Sequence, residues 1–149
     1  MNAAVPEGLD AFSASFAEPL FAALPELRDH ARVENGILTV EVAPPPARED
    51  AHLWIDTDCD EVTVGFGMYH THFDWPCAAA PDDPYYAHPI TLVRSFVTGE
   101  IRIAVRFRDG RWAASSLLDP GEEPEPPAAG EVVHIRSWSG DDDRNLTGP

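Results

Sequence analysis

Residues 53–75 read LWIDTDCDEVTVGFGMYHTHFDW, and the fold follows from how this stretch is divided. Placing Cys59-Asp60 at a turn sets Asp58 opposite Glu61, Thr57 opposite Val62, Ile55 opposite Val64 and Leu53 opposite Phe66. Side chains alternate across a strand, so Leu53, Ile55, Val62, Val64 and Phe66 point to one side, which is the expected core. Trp54, Asp56, Thr63, Gly65 and Gly67 point to the other. Trp54 then lies across from Gly65, where an indole can cover a glycine that offers no side chain of its own. The two glycines mark either a local twist of the strand or a trough open to a ligand or another backbone.

Outward from this stretch, helix and strand signals alternate along the chain. Leu9, Phe12, Phe16, Leu20, Leu24 and Leu27 recur at three- and four-residue steps, predicting a helix over about 10–31. Asp10 is its expected N-cap, and Pro19 and Pro25 should split or kink it. Asn35-Gly36 is a turn, and the alternation over 37–42 is the first strand, ended by Pro44-Pro45-Pro46. Residues 89–98 read as a second helix, with proline in its first turn and Gly99 after its end. Asp109-Gly110 is a two-residue hairpin turn. It is expected to set Trp112 across from Phe107, Ala114 from Val105, Ser116 from Ile103 and Leu118 from Ile101. Residues 131–138 form the last strand. Residues 1–8 and 141–149 are expected to fray.

These elements predict one α+β domain over residues 1–149, in the order α-β-β-β-α-β-β-β. Its mostly antiparallel sheet has about six strands, and two helical segments pack on one face.

Composition narrows the function classes. The chain has 149 residues, 44% of them apolar, which suits one globular core. Its formal charge is −16, from 10 basic and 26 acidic residues, and every basic residue is arginine. Phosphate recognition needs basic side chains, so a nucleic-acid partner is not expected, whereas a cationic protein is favoured by steering. No apolar run is long enough for a membrane span, and the N-terminal residues lack the pattern of a signal peptide. A cytoplasmic location is expected. Cys59 and Cys77 are expected as free thiols, Cys59 with a costly thiolate among acids.

Three sets of residues carry chemistry. His70, His72 and Asp74 stand at alternate positions and would share a side of an extended chain. Two imidazoles and a carboxylate can ligate zinc or another divalent metal, which would activate water for hydrolysis. The spacing is similar to H-x-H-x-D sites of metallo-β-lactamase-like and amidohydrolase enzymes, although Trp75 stands where the lactamase motif has histidine. The alternative is a polar loop whose histidines bond to backbone or carboxylates. The second set is Arg94, Arg102, Arg106, Arg108 and Arg111, which outnumber the two acids within 94–111. They form either an anion-binding face or internal ion pairs with acids such as Glu41, Asp56 or Asp58. The third set is aromatic and acidic: Trp54, Tyr69, Trp75 and Trp138, with acid-rich loops at 56–61, 119–125 and 141–143.

The run VTVGFGMYHTHFD at 62–74, taken with IRSWSG at 135–140, resembles small bacterial immunity proteins of polymorphic and contact-dependent toxin systems. The resemblance spans about residues 30–140. It implies a cytoplasmic protein that binds and neutralises one cognate toxin domain, needs no cofactor and has no catalytic residues. A strongly acidic chain suits a basic toxin such as a nuclease. The partner-binding candidates are Trp54, Asp56, Asp58, Tyr69, His70, His72, Asp74, Trp75 and Trp138.

Overall fold

The computed structural model describes residues 4–77 and 83–149. It is α+β, with antiparallel strands in two sheets. The first sheet has five strands in the order β1-β2-β3-β4-β5: Ala31–Glu34, Ile37–Val42, Leu53–Asp56, Val62–Phe66 and Tyr69–Phe73. The second has four in the order β7-β6-β8-β9: β6 is Arg102–Arg108, β7 Arg111–Leu118, β8 Glu131–Arg136 and β9 Arg144–Thr147. The α+β antiparallel class therefore stands, and β1, β5 and β9 join the six expected strands. The backbone groups into two compact units. One holds residues up to Val42, Leu53–Gly65 and His70–Arg94; the other holds Ala43–His52, Phe66–Tyr69 and Ser95–Pro149.

In the first unit, α1 (Ala11–Ala23) begins where Asp10 accepts a hydrogen bond from the Ser13 amide at 2.7 Å. Pro19 is held inside it, and the break falls at Leu24-Pro25, where a 3-10 turn (Pro25–His30) follows. Phe16, Leu20 and Phe21 are fully buried, as are Leu38, Val40, Leu53, Ile55, Val62 and Val64 of the sheet. The Ser13 and Thr57 hydroxyls meet at 2.5 Å, and Thr57 also accepts from the Leu38 amide, so the helix is fastened beside β2.

Two turns in this sheet share one design. Asn35-Gly36 and Cys59-Asp60 each have both residues at positive φ, the backbone that suits the twist of a tight antiparallel hairpin. The Glu61 amide closes the second turn onto the Asp58 carbonyl. The run from 62 to 74 is not one extended chain. Gly67, at φ +56°, reverses it, so the imidazoles lie on a separate strand, β5. A Cβ at Gly67 would stand 2.3 Å from the Asp50 carbonyl oxygen. That close approach, rather than a ligand trough, explains this glycine.

Helix α2 (Pro89–Val97) starts where the His88 ring accepts from the Ile90 amide at 3.2 Å. Gly99, at φ +73°, follows its end.

In the second unit the β6–β7 hairpin turns at Asp109-Gly110 as expected, and Trp112 pairs with Phe107. Beyond that the expected register is overturned. A bulge leaves Ala113 without a partner, so Ala114 pairs with Arg106, Ser116 with Ala104 and Leu118 with Arg102. The slip moves Leu118 onto the arginine-bearing side, where Ala104, Leu118, Val133 and Ile135 make a small buried cluster with Leu146 packed against it.

The C-terminal segment is not frayed. Asp143 accepts from the Ser137 amide at 2.7 Å and from Arg48, β9 pairs with β8, and the Gly148 amide reaches the Glu131 carbonyl at 2.9 Å. Residues 1–3 of the expected N-terminal fray lie outside the described residues.

Candidate functional site

One face of the five-stranded sheet is apolar and buried; the other carries the candidate residues. Pairing places Arg32 beside Thr39, Glu34 beside Ile37, Glu41 beside Trp54 and Thr39 beside Asp56. All of these are partly or fully exposed. Trp54 covers Gly65 as expected: a Cβ on Gly65 would stand 1.9 Å from Cε2 of the indole. The gap is thus filled by the chain's own side chain, which leaves no trough there for a small ligand.

Because Gly65 is bare, His70 can approach the same indole, with ring centres 5.9 Å apart. The His72 ring is 5.3 Å from that of His70. Its Nδ1 lies 2.8 Å from Thr63 Oγ1 and 3.0 Å from Glu61 Oε1. A hydroxyl–imidazole–carboxylate relay needs the hydroxyl and the acid on opposite ring nitrogens. Both groups here meet the same nitrogen, so the arrangement orients the ring and does not form a relay. Thr63 and Glu61 escaped the sequence reading, because nothing in their spacing says that β5 returns alongside β4.

The metal expectation finds no support in the ligand geometry. Among the described residues no three His, Cys, Asp or Glu side chains come together in a way that could hold a metal ion. His70 and His72 are neighbours, but Asp74 lies beyond the end of β5 and does not complete a set with them.

Of the acid-rich loops, the one at 56–61 lies beside Glu34, which the sequence reading did not single out. Glu34, Asp56 and Asp58 line a shallow hollow together with Asn35, Ile37 and Thr39. Asp56 accepts from the Asp58 amide at 3.1 Å, and Asp58 accepts from the Cys59 amide at 2.8 Å. The Asp58 carboxylate beside it holds the Cys59 thiol above its usual pKa, so this exposed cysteine is a poor nucleophile. Arg32 pairs with Glu41 at 3.1 Å, leaving Glu34, Asp56, Asp58 and Glu61 to set the sign of the face.

The remaining candidates do not join this face. The Trp75 indole packs edge-on against Phe16 at 5.1 Å and His88 at 5.8 Å, and donates to Ser15 Oγ at 3.2 Å. Tyr69 and Trp138 belong to the second unit. There the Phe66 and Phe96 rings stack at 4.9 Å; Tyr69 lies 6.3 Å from Phe96, and Trp138 lies 6.3 Å from Phe66.

Three arginines of the stripe, Arg102, Arg106 and Arg108, are held internally, though not by the acids expected. Glu131, 6% exposed, takes Arg106 at 3.1 Å and Arg108 at 2.9 Å. The Ala128 amide and then Arg108 hold its carboxyl below the usual carboxylate range. Arg102 donates to the Glu122 carbonyl and Arg106 to the Glu125 carbonyl. Glu41 belongs instead to Arg32.

The chain matches no family model, no curated protein and no solved structure. Among the described residues no helix is long and apolar enough to cross a membrane.

Proposed function

We propose that this chain is an immunity-type protein. It would bind a cognate toxin domain of basic character and neutralise it by covering its functional surface, from a cytoplasmic location and without a cofactor. The observation that carries this reading is the open face of the five-stranded sheet. Trp54 sits there on Gly65, beside His70 and His72, within a rim of Glu34, Asp56, Asp58 and Glu61. A half-buried indole held by its neighbours is the kind of anchor that dominates a protein interface. The surrounding carboxylates favour a cationic partner, speeding encounter and excluding acidic competitors.

The test is titration against the C-terminal domain of a toxin-type protein encoded beside this gene. Affinity should be high at low ionic strength and fall as salt rises. Trp54→Ala should weaken binding by about 2 kcal/mol, or ~30-fold. A lack of affinity at every ionic strength would sink the reading.

A further inference from the structure

Residues 122–125, EEPE, cross the arginine-bearing side of the four-stranded sheet as a strap. Two guanidiniums hold it: Arg102 donates to the Glu122 carbonyl, and Arg106 donates to the Glu125 carbonyl at 2.8 Å. Between these two props the sheet offers only short side chains. Ala104 pairs with Ser116 and Arg106 pairs with Ala114, and paired residues share a side. An arginine reaches much further than an alanine or a serine, so the strap stands off the strands. The gap is a cavity of about 360 Å³ within the second unit. Ala104, Ala114, Ser116, Leu118 and Val133 form its floor, and residues 122–125 form its other wall. Sites for small molecules have volumes of about 300–1,000 Å³ and combine apolar lining with a few polar groups. Unfilled space of this kind forfeits packing contacts that a longer side chain at position 114 or 116 would recover.

Charge selects the occupant. Glu122, Glu123 and Glu125 line the cavity against one basic residue, Arg106. That guanidinium is committed to Glu131 and to the strap, so an anion entering here would have to displace an existing partner. Glu123 pairs with Arg144, and Glu122 accepts from the Asp119 amide. The Glu125 carboxylate has no partner among the described residues. We infer that this cavity binds a small primary aliphatic amine as its ammonium ion. The alkyl body lies on Ala104, Leu118 and Val133, and the ammonium meets Glu125 within the negative field of the strap. Because the strap covers the floor, the occupant is a free molecule and not a lysine carried on another protein. The site is distinct from the Trp54 face and does not rest on the function proposed above.

Amide NMR spectra of the full chain, titrated with n-pentylammonium chloride, test the inference. The titration is run in about 150 mM sodium chloride, where diffuse attraction to an acidic surface is screened. Saturable shifts are expected in β6, β7 and residues 122–125. Ammonium chloride lacks the alkyl body and pentanol lacks the charge, so each should bind at least about tenfold more weakly. Glu125→Gln should weaken binding about tenfold, as the loss of one charge-assisted hydrogen bond implies. Ser116→Leu, on an exposed side chain, fills the cavity and should abolish the shifts with circular dichroism unchanged. A wild-type chain that shows no shifts overturns the inference, as do shifts that spread over the acidic loops without saturating. Binding that both variants leave intact overturns it as well. Tighter binding of N-acetyl-lysine methylamide than of pentylammonium would overturn the free amine as the occupant.

Discussion

Gly65 is the residue on which the candidate face turns. With no side chain there, Trp54 from β3 and His70 from β5 meet above β4. Gly65→Ala would drive a methyl into the indole, and we expect a loss of about 1–3 kcal/mol. Urea unfolding followed by tryptophan fluorescence would read both the loss and the displaced ring. The glycine–tryptophan pair was legible in sequence, since alternation and a two-residue turn suffice to set it. Glu131 was not legible, because its partners come from β6, 23 and 25 residues away. Its folded pKa is lowered by the Ala128 amide and then by Arg108. Its contribution is therefore complete above the unfolded carboxylate pKa and disappears as pH falls through the lowered folded value. Glu131→Gln should lower the melting temperature at neutral pH, and the gap from wild type should close on acidification. Thermal melts over a pH series below neutrality would check this.

At the scale of elements, turns were the readable features and short strands were not. Asn35-Gly36 and Asp109-Gly110 announce left-handed backbone, and both occur as expected. Strand β1 adjoins a stretch read as helix, and β9 lies in a tail expected to fray. Strand β5 was hidden because Gly67 was read as part of a strand rather than as the reversal between two. The β7 bulge has no glycine to mark it, and the one-residue slip moved Leu118 to the opposite face. The Cys59-Asp60 turn holds two non-glycine residues at positive φ, a conformation costly for both. Replacing them with Asn-Gly should raise stability by about 1 kcal/mol, as that pair suits this turn best. Equilibrium denaturation with an unchanged slope on denaturant concentration is the measurement to make.

For the whole molecule, charge is the dominant property. A formal charge of −16 implies self-repulsion in the folded state, partly relieved by internal pairs such as Arg108–Glu131 and Arg136–Asp50. Moderate sodium chloride should therefore raise the melting temperature while lowering affinity for a cationic partner. These opposite salt responses separate stability from recognition. The fold class was legible because apolar alternation and turn residues agree along most of the chain. The division into two sheets was not, since nothing in the alternation says that β5 and β6, on either side of α2, belong to different sheets. The most direct test of the binding face is hydrogen–deuterium exchange on the complex with the cognate toxin domain. We expect protection on binding in residues 53–56, 61–65 and 70–73, with the α1 amides unchanged. Protection confined to segments outside β3, β4 and β5 would contradict it.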